Sequence, residues 1–245
     1  MPFPPTGWRL YALLATCFLL VCLIVSAFRF AVLYKRTNEL NAVSAVFPRD
    51  YYVGNAQDAP LSYVSLGDST VQGTGCTRLS ETLPYLIAER LAATGRHVHV
   101  LNLAISGARL ADVAAEQEPK VRALAPDVVS LNIGANDATH ATSLEGYGQA
   151  MQAMLSHLLA LPATRIYVAT TPDMHDVPAL PLPYGALAGN RAVRQNEILQ
   201  SKIALSRITL IDLYRDGKLP DLALYAPDLF HPGPAGYAQW AALYP

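Results

Sequence analysis

Near its C-terminus the chain reads Asp228-Leu229-Phe230-His231-Pro232, a carboxylate three residues ahead of a histidine that a proline follows. A carboxylate beside an imidazole holds the ring in one tautomer and stabilises the imidazolium formed when the ring takes up a proton. Proline disfavours the α region for the residue before it, which biases His231 toward extended backbone. Asp and His also meet at this spacing by chance, so the pair gains weight only from a nucleophile. The candidate is Ser69, in Leu66-Gly67-Asp68-Ser69. A serine hydroxyl is a weak nucleophile until a base takes its proton. His231 would accept that proton and return it to the leaving group. Serine after Gly-Asp is equally a helix N-cap, so Ser69 taken alone carries both readings.

Acyl transfer further needs donors where negative charge develops on a carbonyl oxygen. Asn136, in Ile133-Gly134-Ala135-Asn136-Asp137, can offer its side-chain amide, and Gly107 a backbone N–H with no Cβ in the way. The Ser69 N–H would be a third. Gly and Asn are also ordinary turn residues, and Gly107 by itself reads as one. Asp68, Asp137 and Asp212 read as turn braces rather than as catalytic groups. His97 and His99 share one strand face, but with no cysteine or acidic partner evident nearby they read as solvated or core histidines, and no metal site is expected. Cys76 lies in the loop after Ser69 and reads as an incidental free thiol.

The elements that must position these groups alternate. Short apolar runs at Leu61–Leu66, Val98–Ile105, Val128–Ile133, Arg165–Thr170 and Ile208–Leu213 predict five strands. Helical spacing predicts helices over Glu81–Ala93, Leu110–Leu124 with a break near Pro119, Leu144–Leu161, Arg191–Leu205 and Gly236–Leu243. Nearly continuous apolar strands alternating with helices imply an α/β domain whose parallel sheet is covered on both faces. Ligands then bind beyond the carboxyl ends of the strands. Ser69, Gly107 and Asn136 follow the first, second and third predicted strands, and Asp228 and His231 follow the fifth. The proline-rich segment Thr171–Asn190 follows the fourth, and a long loop there is expected to wall the substrate pocket.

Gly67-Asp68-Ser69, Gly107, Gly134-x-Asn136-Asp137 and Asp228-x-x-His231-Pro232 resemble, in order and spacing, the four blocks of the SGNH/GDSL hydrolases. The resemblance runs from about Leu61 to the C-terminus. It implies a flavodoxin-like three-layer α/β/α fold with a five-stranded parallel sheet, and hydrolysis of carboxylic esters or thioesters without a cofactor. It assigns Ser69, Asp228 and His231 as the triad, and Ser69, Gly107 and Asn136 as the oxyanion hole. Thr70 departs from the aliphatic residue often found after the serine. Two rival activities stay open: an acyltransferase in which a glycan or lipid hydroxyl replaces water, and a non-catalytic anchored binding protein, which would predict damaged blocks.

The remaining signal is at the other end. Leu10 to Ala27 carries no charge and is bracketed by Arg9 and Arg29, a run long enough to span a bilayer. Trp8, Tyr11 and Tyr34 lie near its ends, as interfacial aromatics do. Val25-Ser26-Ala27 would suit a signal-peptide cleavage site, but the apolar run is longer than a usual signal core. The expected organisation is an N-terminal membrane anchor over 1–34, a polar linker over 35–59 and a hydrolase domain over 60–245. The catalytic domain is expected outside the cytoplasm, although Arg29, Lys35 and Arg36 after the span favour the opposite sense by about one charge. Ester substrates at a membrane, lipid or glycan, are the expected partners. A net charge of −1 gives no basis for nucleic-acid binding.

Overall fold

The computed structural model describes residues 7–203 and 207–245. Its centre is a six-stranded sheet of β1 (Asp50–Val53), β2 (Ala59–Gly67), β3 (Arg96–Asn102), β4 (Val128–Asn132), β5 (Arg165–Ala169) and β6 (Ile208–Ile211), in the order β1-β3-β2-β4-β5-β6. The five predicted strands are β2 to β6, and they pair in parallel. Taken in chain order, they run second-first-third-fourth-fifth across the sheet, which is the flavodoxin-like order. The sheet is nevertheless mixed and has six strands rather than five, because β1 joins the edge antiparallel to β3. It comes from the segment expected as a linker, where Pro48 and Gly54 mask a four-residue strand too short to register as one.

Both faces are covered, giving the three layers. On one side α3 (Leu83–Ala92) and α9 (Pro234–Ala241) bury Ile87, Leu91, Tyr237 and Trp240 against β-strand residues such as Tyr63 and Val100. On the other, α5 (Glu118–Leu124), α7 (Leu144–Leu159) and α8 (Tyr184–Ile203) bury Val121, Met151, Met154, Leu155 and Leu199 against Val64, Leu66, Val129 and Val168. Helix α8 starts seven residues before its predicted start at Arg191, so the proline-rich loop after β5 is shorter than expected; its predicted end, Leu205, lies outside the described residues. The predicted break near Pro119 is a π-helical turn over Val113–Gln117, between the short α4 (Leu110–Asp112) and α5.

The N-terminal helix α1 runs from Gly7 to Ala45 as one piece. Residues 1–6 of the expected anchor lie outside the described residues. An 18-residue window in α1 has a mean hydropathy of 2.6 and buries nothing against the protein, so the helix is long and apolar enough to cross a membrane. It does not stop at Tyr34. Its last turns, expected as linker, stay helical and reach the loops at the carboxyl ends of β2 and β3.

Candidate active site

Register pairs Gly67 at the end of β2 with Asn132 at the end of β4. This is where strand order reverses, the switch point at which doubly wound sheets open a crevice. From Gly67 the chain turns sharply into α2 (Ser69–Gln72), whose N-cap Asp68 accepts from the Thr70 N–H (2.9 Å) and the Thr70 hydroxyl (2.8 Å). Thr70 therefore braces the turn with a second bond that an aliphatic residue could not make. Burial pushes the Asp68 carboxyl up, against those two bonds.

Ser69, at the first position of α2, lies 2.8 Å through Oγ from His231 Nε2. His231 Nδ1 lies 2.6 Å from Asp228 Oδ2. All three are buried, with Asp228 fully so. Burial of Asp228 opposes its charge, but the His231 ring and the N–H groups of His231 and Phe230, both 3.1 Å from Oδ1, hold its carboxyl below the usual carboxylate range. An ionised carboxylate only accepts. Nδ1 therefore carries the proton, and Nε2 is left to accept from the Ser69 hydroxyl.

The loop carrying Asp228 and His231 is tightly closed. Tyr225 and Pro232 form an antiparallel bridge, and Ala226 N donates to His231 O at 2.8 Å. Leu229 sits in the left-handed region at φ +58°, a conformation that costs about 1–3 kcal/mol for a non-glycine residue and persists only where its surroundings hold it. Here the Ala179 N–H does so by donating to Leu229 O at 3.0 Å. The loop meets the serine loop at Gly75: with φ +104°, a Cβ there would fall 2.2 Å from Pro232 O. Only glycine lets the two loops approach this closely.

Gly107 follows β3 at φ +83°, and space where its Cβ would stand is open. The neighbouring Ser106 N–H donates to Gln72 Oε1 (2.9 Å), tying this loop to α2. Asn136 lies at the start of α6 (Ala135–Thr139), and its Nδ2 donates to Ala108 O at 3.0 Å, beside Gly107. Among the described residues, neither Ser69 N–H nor Gly107 N–H has a protein acceptor. Asp137 accepts from Leu110 N (2.9 Å), as a turn brace would.

Other residues at the site were not legible in sequence. Gln117, fully buried on the π-helical turn, accepts from Gly67 N (2.9 Å) and donates to Gly67 O (2.8 Å), clamping the backbone just before Asp68. Thr37 of α1 donates to Asp228 Oδ2 at 3.0 Å, and Asn41 Oδ1 accepts from the hydroxyls of Thr74 (2.8 Å) and Ser106 (3.0 Å). Gln117 left no pattern to find. Thr37, Asn41 and Ser44 did, as polar residues at helical spacing on one face, hidden by the reading of that stretch as linker.

Beside the triad is a mostly apolar cavity of about 150 Å³. It is lined by Thr70, Phe230 and Pro232, next to Ser69 and His231 in the chain, and by Pro172, Met174 and Val177 of the loop after β5. That loop is thus one wall of the cavity. Elsewhere, His99 does have an acidic partner, Asp50 on the unpredicted β1 at 2.7 Å. No group of three or more metal-ligating side chains occurs among the described residues. Burial pushes the Cys76 thiol up to about 12, which leaves it unreactive at neutral pH.

A sequence profile of the GDSL-like lipase/acylhydrolase family matches residues 65–239. A GDSL-like esterase of Mycobacterium tuberculosis is 32% identical over 187 residues, covering 72% of this chain and 58% of that protein's length. Among solved structures, a lipase/acylhydrolase from Enterococcus faecalis superposes with a TM-score of 0.62 at 23% identity, covering 75% of this chain and 92% of its own. An acetylxylan esterase from Geobacillus stearothermophilus does so with 0.59 at 20% identity, covering 78% and 93%. These two likenesses show the shared fold. The profile covers most of the chain and includes the Ser69 and His231 blocks: the chain belongs to the GDSL-like lipase/acylhydrolase family.

Proposed function

We propose that this chain hydrolyses carboxylic esters, thioesters included, through an acyl-enzyme on Ser69. The observation that carries the reading is the unbroken line Ser69 Oγ–His231 Nε2, His231 Nδ1–Asp228 Oδ2, at 2.8 and 2.6 Å. His231 takes the Ser69 proton as Oγ attacks the ester carbonyl, then delivers it to the departing alkoxide. Asp228 keeps the ring in the productive tautomer and stabilises its charged form. The oxyanion meets the Ser69 N–H, the Gly107 N–H and Asn136 Nδ2, donors fixed before the substrate arrives. A water activated by the same histidine then releases the acid. No step calls on a cofactor.

The M. tuberculosis relative, described as an esterase, supports the reaction class. The apolar cavity beside the triad suits a hydrophobic acyl or alcohol group. Helix α1, long and apolar enough to cross a membrane, supports anchoring; a catalytic domain outside the cytoplasm, acting on ester substrates at the bilayer surface, is the topology we propose with it.

The direct test uses the purified full-length chain in detergent on a series of acyl esters beside Ser69→Ala. Wild type is expected to show a burst and an acyl adduct on Ser69 by mass spectrometry, and the variant neither. Equal turnover by the two would overturn the assignment. Protease protection in sealed vesicles tests the topology.

A further inference from the structure

We propose that the last turns of the N-terminal helix are part of the active site, with Thr37 a positioning residue for Asp228. This deepens the esterase reading and rests on it. Helix α1 presents Thr37, Asn41 and Ser44 at i, i+4 and i+7, one face of an α-helix. Each lands on a different part of the catalytic frame. Thr37 Oγ1 reaches Asp228 Oδ2 at 3.0 Å, the same oxygen that holds His231. Asn41 Oδ1 joins Thr74, after α2, to Ser106, next to Gly107. Ser44, fully buried, takes the Gln72 side-chain amide at 3.0 Å and meets Thr74 at 3.2 Å. Gln72 in turn holds the Ser106 N–H. Arg36 donates to Pro227 O at 2.8 Å, fixing the residue before Asp228.

The Thr37 hydroxyl has one proton and two acceptors in reach, Asp228 Oδ2 and its own Leu33 O at 3.1 Å. If the proton went wholly to Leu33, an oxygen lone pair would face an ionised carboxylate that can only accept. The anion therefore draws the proton. With Thr37 in place, Asp228 Oδ1 has two backbone donors and Oδ2 has His231 and Thr37, so both oxygens are fixed. Without Thr37, Oδ2 answers to the imidazole alone, and only the two backbone bonds to Oδ1 still set the plane of the carboxylate. The apolar run ends at Ala27, so Thr37 stands roughly 15 Å along the helix from it at 1.5 Å per residue. The triad is therefore tied to the apolar run that the anchor reading places in the bilayer, and Arg29, at the end of that run, donates to Pro178 O of the cavity-walling loop at 2.6 Å.

The test uses full-length protein in detergent: wild type, Thr37→Val, Thr37→Ser, Asp228→Asn, and Thr37→Val combined with Asp228→Asn, with Ser69→Ala alongside. Thr37→Val should lower kcat about tenfold, the scale of a hydrogen bond to a charged group, with KM within about twofold. Thr37→Ser should recover most of that loss. In the Asp228→Asn background Thr37→Val should change kcat no further, because the effect passes through the carboxylate. Wild-type kcat in Thr37→Val, no recovery by Thr37→Ser, or the same fold-loss in both backgrounds would each overturn the proposal; the last marks a merely structural contact. If Thr37→Val does not fold, Thr37→Ala is read in the same scheme. Activity retained by Ser69→Ala would instead bring down the parent reading.

Discussion

At the scale of single residues, the proposed chemistry depends on a carboxylate kept ionised where solvent does not reach. Asp228 is fully buried, yet its hydrogen bonds keep it charged. Replacing it with Asn should leave the fold but lower kcat by roughly 10³–10⁴, as expected when the histidine tautomer is no longer held; steady-state kinetics with a circular dichroism control would check this. The same residue should leave a mark on stability. Its folded value lies below the ordinary one, so ionised Asp228 contributes stability above the unfolded carboxylate value of about 3.9. That contribution is lost as pH falls from there through the lower folded value. The melting temperature of the wild type should therefore drop more steeply below about pH 4 than that of Asp228→Asn. Ser69, Asp228 and His231 were legible because each stands in a short block with restricted backbone options. Gln117 and Thr37 were not, since a buried glutamine on a π-helical turn and a threonine on a long helix look like many others.

At the scale of elements, the site is a meeting of loops that leave neighbouring strand ends. One close approach is that of Gly75 to Pro232 O, joining the serine loop to the histidine loop. Gly75→Ala would combine a left-handed backbone with a Cβ overlapping a carbonyl, and should cost about 2 kcal/mol or more. Relief must come from moving one loop, which lengthens the Ser69–His231 hydrogen bond. Thermal unfolding in detergent should show the lost stability, and kcat should fall further than the loss of folded protein explains. An unchanged kcat per folded molecule would mean that the loops can part without disturbing the pair. The five parallel strands were readable from apolar runs bounded by Gly and Pro. The sixth was not: four residues between Pro48 and Gly54 become a strand only because β3 offers an unpaired edge. The start of α8 was missed for a related reason, since prolines at 181 and 183 hid a helix whose buried Ala188 and Ala192 pack near the walling loop.

At the scale of the whole molecule, the membrane-type helix and the hydrolase domain are continuous, and the connection runs through the candidate active site. A chain beginning at Phe30 keeps Thr37, Asn41 and Ser44, whereas one beginning at Val46 loses all three. Both should retain the sheet, because the described hydrogen bonds of α1 to the domain go to loop residues such as Thr74, Ser106 and Asp228. The longer form should keep near-full kcat on a soluble ester, and the shorter should lose at least about tenfold, the effect of one hydrogen bond to a charged group. Equal kcat in the two would reduce α1 to a tether. By itself the sequence determined the α/β class, the order of the strand-end loops, the four residue blocks and the apolar run, because periodicity, punctuation by Gly and Pro, and local spacing are properties of neighbours along the chain. Tertiary structure alone decided that a hydroxyl at position 37 reaches a carboxylate at position 228, and that Gln117 clamps Gly67. Contacts over such separations follow from how helices lie against the sheet, and a single chain's local pattern does not encode that geometry. The Asp228-x-x-His231 loop could thus be recognised from its residues, but what holds its carboxylate in place could not.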